Sequence, residues 1–222
     1  MTSYFVLGLM SGTSLDGLDF AYVRFDFAYK QWRYKILHTE TIHYTEEWQT
    51  LLKNSILLEK DALQKLDKKY SEYLTKLTKG FIVENKIIKL DIISSHGHTV
   101  KHRPDLGYTI QIGNRPEFGN AFDIPVVCDF RTQDVALGGQ GAPLVPIGDR
   151  LLFSEHNYCL NLGGIANISY EQDGKRIAYD IGAVNMVLNH YPNELGIEFD
   201  KGGMLAASGK LDKVLLDKQD FI

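Results

Sequence analysis

The chain has 222 residues, of which 44% are hydrophobic and 23% are charged, a balance typical of a globular protein with a buried core. Its formal net charge of −4 excludes the broad positive field of a nucleic-acid-binding protein, so any phosphate must be bound locally. No apolar run approaches membrane-spanning length, and we expect neither nucleic acid nor a membrane among the partners. Cys128 and Cys159 both lie in apolar, strand-like runs, which favours buried reduced thiols and a cytoplasmic protein.

Hydrophobic periodicity predicts an α/β protein. Alternating or β-branched runs predict strands at residues 4–9, 19–26, 34–42, 91–95, 108–112, 125–129, 157–162, 168–171 and 176–179. Apolar residues at helical spacing predict helices at residues 45–57, 61–85, 116–122 and 145–155. The order strand, small-residue loop, strand, turn, strand occurs twice, so we expect two lobes, residues 1–144 and 145–222, that face one cleft.

The first small-residue loop lies in the segment GLMSGTSLDGLD, residues 8–19. Its glycines allow a backbone to approach an oxyanion closely, and its hydroxyl and N–H groups can bind phosphate oxygens. Asp16 and Asp19 can hold a divalent cation that bridges those oxygens. The alternative is an ordinary hairpin turn rich in Gly and Ser. The second loop of similar composition, residues 163–167, favours phosphate binding.

Six sequence blocks, in chain order, resemble those of one enzyme family. They are GLMSGTSLDGLD (8–19), SHGHT (95–99), QIG (111–113), DFR (129–131), GGQGAPLVP (138–146) and NLGGIAN (161–167). Together they are similar to the anhydro-N-acetylmuramic acid kinases, and the resemblance covers essentially the whole chain. It implies a two-lobed actin-like ATPase fold (ribonuclease H-like) whose second lobe is incomplete here, because family members continue well beyond residue 222.

The resemblance also implies an activity. Such enzymes use ATP, with Mg²⁺, and water to open the 1,6-anhydro ring of anhydro-N-acetylmuramic acid and phosphorylate O6, giving N-acetylmuramic acid 6-phosphate in cell-wall recycling. The alternatives are a kinase of the same fold for another anhydro or amino sugar, and a nucleotide-binding fragment without catalysis. Exposed apolar surface at the edge of an incomplete lobe makes a homodimer an expectation as well.

The resemblance implies site residues too. Those for ATP are Gly12, Thr13, Ser14, Leu15, Asp16, Gly17, Leu18 and Asp19. From their own chemistry, His96, Thr99, Arg131, Gln140 and Gly141 are the candidate residues for the sugar. Asp180, at the end of a predicted strand, matches the catalytic base that takes a proton from the attacking water; the alternative is a cap for a helix that begins near Ala183.

Several of these residues allow more than one interpretation. His96 and His98 flank a glycine at a spacing that suits a metal, but without a Cys or carboxylate set a sugar contact or a structural role is favoured. Arg131 and Asp134 can clamp a carboxylate and a hydroxyl of the sugar, or form a salt bridge between lobes. The glycine-dense residues 138–146 line a ligand site or form only a turn.

Overall fold

The chain divides into two units, Met1–Glu155 and His156–Ile222, in the computed structural model, which describes residues 1–12, 14–214 and 216. The first unit thus ends at Glu155 rather than at residue 144, because the helix after the glycine-dense block groups with it. That these units are actin-like lobes stays a prediction. Thr13, one of the residues predicted to bind ATP, lies outside the described part of the chain.

A mixed sheet of six strands forms the centre of the first unit. The strands are β1 (Thr2–Ser11), β2 (Gly17–Ala28), β3 (Gln31–His43), β4 (Ile92–Arg103), β5 (Tyr108–Ile112) and β6 (Val126–Val127). Their order is β3-β2-β1-β4-β5, with β6 beside β4. Strands β1, β2 and β3 form the predicted antiparallel meander, β4 runs parallel to β1, and β6 runs parallel to β4.

Five α-helices accompany this sheet in the described part of the unit. They are α1 (Glu46–Asn54), α2 (Lys60–Glu84), α3 (Pro116–Gly119), α4 (Phe130–Ala136) and α5 (Pro146–Leu152). Thr45 caps α1 by accepting a hydrogen bond at Oγ1 from the Trp48 N–H (3.3 Å). The long helix α2 follows the predicted apolar periodicity and buries its face against the sheet, where Phe20 of β2 stacks on Phe81 at 4.7 Å between ring centroids.

Two strand boundaries differ from the prediction and reshape the candidate site. Strand β2 begins at Gly17 because its pairing with β3 continues to Gly17 opposite His43, so only residues 12–16 form the first loop. Strand β4 continues to Arg103 because its first half pairs with β1 and its second half pairs with β5. The block at residues 95–99 therefore lies inside a strand rather than after one.

The second unit contains the second predicted meander. Its strands are β7 (Tyr158–Leu162), β8 (Ile165–Gln172) and β9 (Lys175–Ala183), antiparallel in that order. Asp173 and Gly174 join β8 to β9 with positive φ angles of 51° and 74°, as the Asp-Gly hairpin signal predicts. Short helices follow at α6 (Asn185–Leu188), α7 (His190–Glu194) and α8 (Met204–Ser208). None of the helices in the described part of the chain is long and apolar enough to cross a membrane.

Candidate active site

The first loop, residues 12–16, presents oxygen atoms to solvent. Ser14 and Asp16 are exposed, and the Ser14 hydroxyl donates to Asp16 Oδ1 at 2.5 Å. Leu15 has a φ of 59°, and its side chain packs against the core of the unit. Its N–H donates to the Gly12 carbonyl at 3.4 Å. A partly buried leucine thus anchors the loop while the hydroxyl and the carboxylate remain available to a ligand.

The other residues predicted to bind the nucleotide belong to β2 and differ in which of their groups a ligand can contact. A Cβ atom on Gly17 would lie 2.6 Å from the carbonyl oxygen of Ile42, so this glycine serves the close approach of β3. Leu18 is only 1% exposed and its side chain belongs to the core, which leaves its backbone alone for a ligand. Asp19 is exposed, and its Oδ1 accepts from Thr41 Oγ1 at 2.5 Å.

A pocket of about 320 Å³ brings predicted nucleotide and sugar residues together. It is lined by residues of β1, β2 and β4 together with Phe130 and Leu144. Asp19 and His96 both line it, although they come from different sequence blocks. Because the Phe20 ring stacks on Phe81 of α2 and side chains alternate along a strand, Asp19 lies on the sheet face opposite α2.

His96 is held in a defined orientation inside this pocket. Its Nε2 accepts from Arg131 Nε at 2.8 Å, and its Nδ1 lies 2.9 Å from the Gly97 carbonyl, to which it donates in the neutral tautomer. Burial lowers the pKa of His96, and the nearby Arg131 cation lowers it further, against the opposing effect of the bond to Gly97. The ring is therefore neutral at pH 7, with both nitrogens engaged.

Arg131 and Asp134 both bind the glycine-dense block. Arg131 Nη1 donates to the Gly141 carbonyl at 2.5 Å, and the Gly141 N–H donates to Asp134 Oδ2 at 2.6 Å. Gly141 is buried and has a φ of 66°. The contacts support a structural role for Asp134 in place of a free group for a sugar hydroxyl. Gln140, the neighbouring predicted residue, is exposed.

Helix α4, which carries Arg131, was not predicted from the sequence. It begins after Asp129, whose φ of 59° is unusual for a residue with a side chain. Asn114 Nδ2 donates to Asp129 Oδ1 at 3.1 Å and so supports this turn. Strand β6 accordingly ends at Val127, earlier than the predicted residue 129.

Thr99 belongs to a chain of polar side chains, of which only Thr99 is a site residue predicted from the sequence. Gln111 donates from Nε2 to Thr109 Oγ1 at 2.7 Å and to Thr99 Oγ1 at 3.4 Å. Thr132 of α4 donates to Gln111 Oε1 at 3.4 Å. Gln111 lies in the sequence block at residues 111–113 and could have been predicted from it. Thr132 could be found only from the structure, because its position depends on helix α4.

Asp180 is exposed and lies within β9, opposite Asn167 of β8. The strand continues to Ala183, so Asp180 does not end it as predicted, and the pairing has an irregularity next to it, between Ala166 and Asn167. Val184, not Asp180, stands at the N-cap of α6, so the helix-cap alternative is wrong. The Asp180 carboxylate therefore does not cap this helix.

The second small-residue loop is shorter than predicted, because residues 165–167 belong to β8. Gly163 and Gly164 form the turn, and their carbonyl groups accept backbone hydrogen bonds from Asn185 (3.2 Å) and Val184 (2.9 Å). Asn185 Nδ2 also donates to the Leu162 carbonyl at 3.2 Å. The segment after Asp180 is thereby tied to the glycine turn.

Within residues 1–12, 14–214 and 216, no group of three or more His, Cys, Asp or Glu side chains is placed to hold a metal ion. His98, at the metal-like spacing from His96, is 3% exposed and lies with Nδ1 2.9 Å from Ser11 Oγ. Cys128 and Cys159 are free thiols, both half-buried. Neither histidine is thus placed as a metal ligand.

The fold is that of an α/β protein, and Asp19 and His96 lie in a pocket on one face of its mixed sheet. The family model described as AnmK, anhydro-N-acetylmuramic acid kinase, matches residues 4–220, and the chain belongs to this family. The membership predicted from six sequence blocks is confirmed.

Two curated relatives show how much of the family's length this chain represents. The protein named anhydro-N-acetylmuramic acid kinase from Shewanella oneidensis (strain MR-1) is 39% identical over 228 residues, covering 97% of this chain and 61% of the relative. The protein of the same name from Pseudomonas syringae pv. syringae (strain B728a) is 36% identical over 225 residues, covering 97% of this chain and 60% of the relative. The chain therefore spans about three fifths of the length of these relatives.

Proposed function

We propose that the protein acts in an ATP-dependent kinase reaction on anhydro-N-acetylmuramic acid, opening the 1,6-anhydro ring and phosphorylating O6 to give N-acetylmuramic acid 6-phosphate in cell-wall recycling. The observation that carries this proposal is the shared pocket of Asp19 and His96, which joins a predicted nucleotide residue to a predicted sugar residue. Membership of the kinase family supports it.

An actin-like, ribonuclease H-like fold for both units is part of the proposal. In the first unit, an antiparallel meander is continued on the β1 side by β4, which runs parallel to β1. In the second unit, a meander of three strands recurs with its own glycine turn. The repeated strand–loop–strand arrangement supports the proposal that both units have the same type of fold.

The first loop is the proposed site of the ATP phosphates, with Mg²⁺. Ser14, Asp16 and Asp19 offer exposed hydroxyl and carboxylate oxygens, and oxygen donors of this kind suit Mg²⁺. When bound, the ion would neutralise charge on the phosphate oxygens. The backbone of Gly12 can approach the phosphates because no side chain intervenes.

The proposed sugar site is the polar wall made by α4, β4 and the glycine-dense block. Arg131 has five N–H donors, and His96 and Gly141 engage two of them, so three remain for the lactyl carboxylate of the sugar. Thr99 and Gln140 provide a hydroxyl and an amide for sugar oxygens. Gly141 contributes to this site indirectly, because its hydrogen bonds to Arg131 and Asp134 hold the glycine-dense block in place.

Asp180 is the proposed general base. Its carboxylate would take a proton from the water that attacks the anomeric carbon, and the bond from that carbon to the bridging oxygen breaks as the new C–O bond forms. The released O6 then accepts the γ-phosphoryl group of ATP, so no second carboxylic acid is needed to protonate it. The exposed position of Asp180 in β9 is compatible with this role.

The test is to measure ADP release with ATP, Mg²⁺ and anhydro-N-acetylmuramic acid, with the Shewanella oneidensis relative as positive control. Release that depends on this sugar supports the proposal. Nucleotide binding without release supports the alternative of a non-catalytic nucleotide-binding fragment. Release with a different anhydro or amino sugar instead supports the related kinase.

We also propose a cytoplasmic homodimer. The free thiols of Cys128 and Cys159 support a reducing compartment. Leu160 and Leu162 of β7 are 55% and 58% exposed, and such apolar side chains support self-association. Light scattering at several protein concentrations measures the mass and tests the dimer.

A further inference from the structure

Tyr44 contacts both ends of the first loop. Its backbone N–H donates to the Asp16 carbonyl at 3.2 Å, at the end of the loop. Its phenol hydroxyl donates to Ser11 Oγ at 2.8 Å, immediately before the loop begins. One residue, placed between β3 and α1, thus closes the loop from residue 11 to residue 16.

The hydroxyl of Tyr44 is part of a buried chain of four side chains. Tyr70 of α2 lies with its hydroxyl 2.6 Å from that of Tyr44, and Ser11 Oγ lies 2.9 Å from His98 Nδ1. Tyr44 donates to Ser11, so Tyr70 donates to Tyr44, and Ser11 donates to His98 when the imidazole is protonated at Nε2. Each donor in this order has an acceptor.

The four side chains of this chain are buried, and the imidazole of His98 is uncharged. Tyr70, Ser11, His98 and Tyr44 are 0%, 2%, 3% and 5% exposed. Burial, followed by repulsion from His96, lowers the pKa of His98 to about 4, so the ring is neutral at pH 7, and its Nδ1 accepts from Ser11 in the tautomer protonated at Nε2. A neutral acceptor is what the direction of the chain requires.

We propose that Tyr44 is a positioning residue for phosphate binding, which orders the first loop through the buried chain Tyr70–Tyr44–Ser11–His98 and through its bond to Asp16. The inference rests on the proposed function, since that assigns the phosphates to this loop. Tyr44 itself does not need to touch the nucleotide. It determines where Gly12, Ser14 and Asp16 lie before the nucleotide arrives.

The first test compares Tyr44→Phe with Tyr73→Phe in the unliganded protein. Tyr73 belongs to the same aromatic group, stacking on Trp48 at 4.4 Å, and its hydroxyl makes no hydrogen bond within the described residues, so it is a matched control. Loss of one neutral hydrogen bond predicts about 2- to 10-fold faster amide hydrogen exchange at Leu15 and Tyr44. The control leaves both rates unchanged.

The second test measures affinity for a non-hydrolysable ATP analogue. We expect Tyr44→Phe to bind about 2- to 10-fold more weakly than wild type, and Tyr73→Phe to bind equally well. The double variant Tyr44→Phe/Ser11→Ala should lose little more than either single variant, because both changes break the same chain. His98→Gln keeps an acceptor for Ser11 and retains affinity, whereas His98→Leu loses it.

The outcomes distinguish the positioning role of Tyr44 from the proposed binding of the ATP phosphates by the first loop. If wild type binds the analogue and Tyr44→Phe equals it in both affinity and exchange, the positioning role is overturned while the nucleotide site stands. If wild type binds no analogue, the proposed function of the loop fails, and the positioning for phosphate fails with it. Additive losses in the double variant likewise overturn the chain as one unit.

Discussion

Arg131 donates its Nε–H to His96 Nε2 across 2.8 Å, and this bond links two predicted sugar residues that are 35 positions apart in the chain. The same guanidinium binds the Gly141 carbonyl, so one side chain organises β4, α4 and the glycine-dense block. Both ring nitrogens of His96 are occupied in this arrangement. The imidazole is therefore held in one orientation where it lines the pocket.

Arg131→Met should raise the pKa of His96, because the cation that helps to keep the ring neutral is removed. An NMR titration of the imidazole measures the change. Arg103→Met is the control, since its guanidinium pairs with Asp105 in an exposed salt bridge. A His96 pKa that stays constant or falls in Arg131→Met would contradict the electrostatic link.

Gly141→Ala should lower the free energy of unfolding by about 1–3 kcal/mol, because a residue with a side chain is strained in the left-handed region. The φ of Gly141 is 66°, and its added Cβ would lie 2.9 Å from Val135 Cγ2. Denaturant unfolding measures the change. Gly148→Ala in α5 is the matched control, with no heavy atom within 4 Å of the new Cβ, and it should be neutral or stabilising. Equal stability of the two variants would show that Gly141 is not constrained.

Gly17→Ala and Gly12→Ala should separate folding from nucleotide binding. The Cβ that Gly17→Ala adds would meet the Ile42 carbonyl at 2.6 Å and force β3 away, so thermal unfolding should occur at a lower temperature. At position 12 the nearest atom is Ser14 Oγ at 3.3 Å, so Gly12→Ala should fold normally and bind an ATP analogue more weakly. A Gly12→Ala variant with full affinity would indicate that the loop is only a turn.

Stability should fall as the pH is lowered from about 6.5 to 4, because His98 is neutral in the folded protein. Its pKa is lowered from 6.5 to about 4 on folding, so in this window the unfolded chain binds more protons. The slope that one such group adds is at most about 1.4 kcal/mol per pH unit. Unfolding in denaturant at a series of pH values measures it.

His98→Gln should flatten that part of the pH profile, since glutamine does not titrate. His38→Gln, at an exposed position of β3, is the control and should leave the slope as it is in wild type. An identical slope in wild type and His98→Gln would assign the pH dependence to other groups.

Asp180→Asn should reduce sugar-dependent ADP release by about 10²- to 10⁴-fold, the usual contribution of a general base, in any form of the protein that shows this release. Affinity for an ATP analogue should stay within about twofold. Asp173→Asn, in the hairpin turn of the same unit, is the matched control and should keep full turnover. If Asp180→Asn retains more than about a tenth of the turnover, Asp180 is not the base.

Much of the fold was predictable because its signals are local. The apolar periodicity of α2, the Thr45 cap and the Asp-Gly turn before β9 each depend on residues within a few positions of one another. The start of β2 at Gly17 was not predictable, because it depends on pairing with His43 of β3. Helix α4 was missed for a similar reason, because the turn at Asp129 where it begins is bonded to Asn114, 15 residues earlier.

The sequence by itself determined the family, the two meanders and most of the candidate site residues. The blocks that carry them are contiguous in sequence and combine glycines with polar and charged residues. Tertiary structure decided which of these residues lie close together. Leu18 went to the core and Asp19 to the pocket because successive side chains of a strand point to opposite faces. His96 met Arg131, and Tyr44 met Ser11, only because sheet register and helix packing bring distant positions within hydrogen-bond distance.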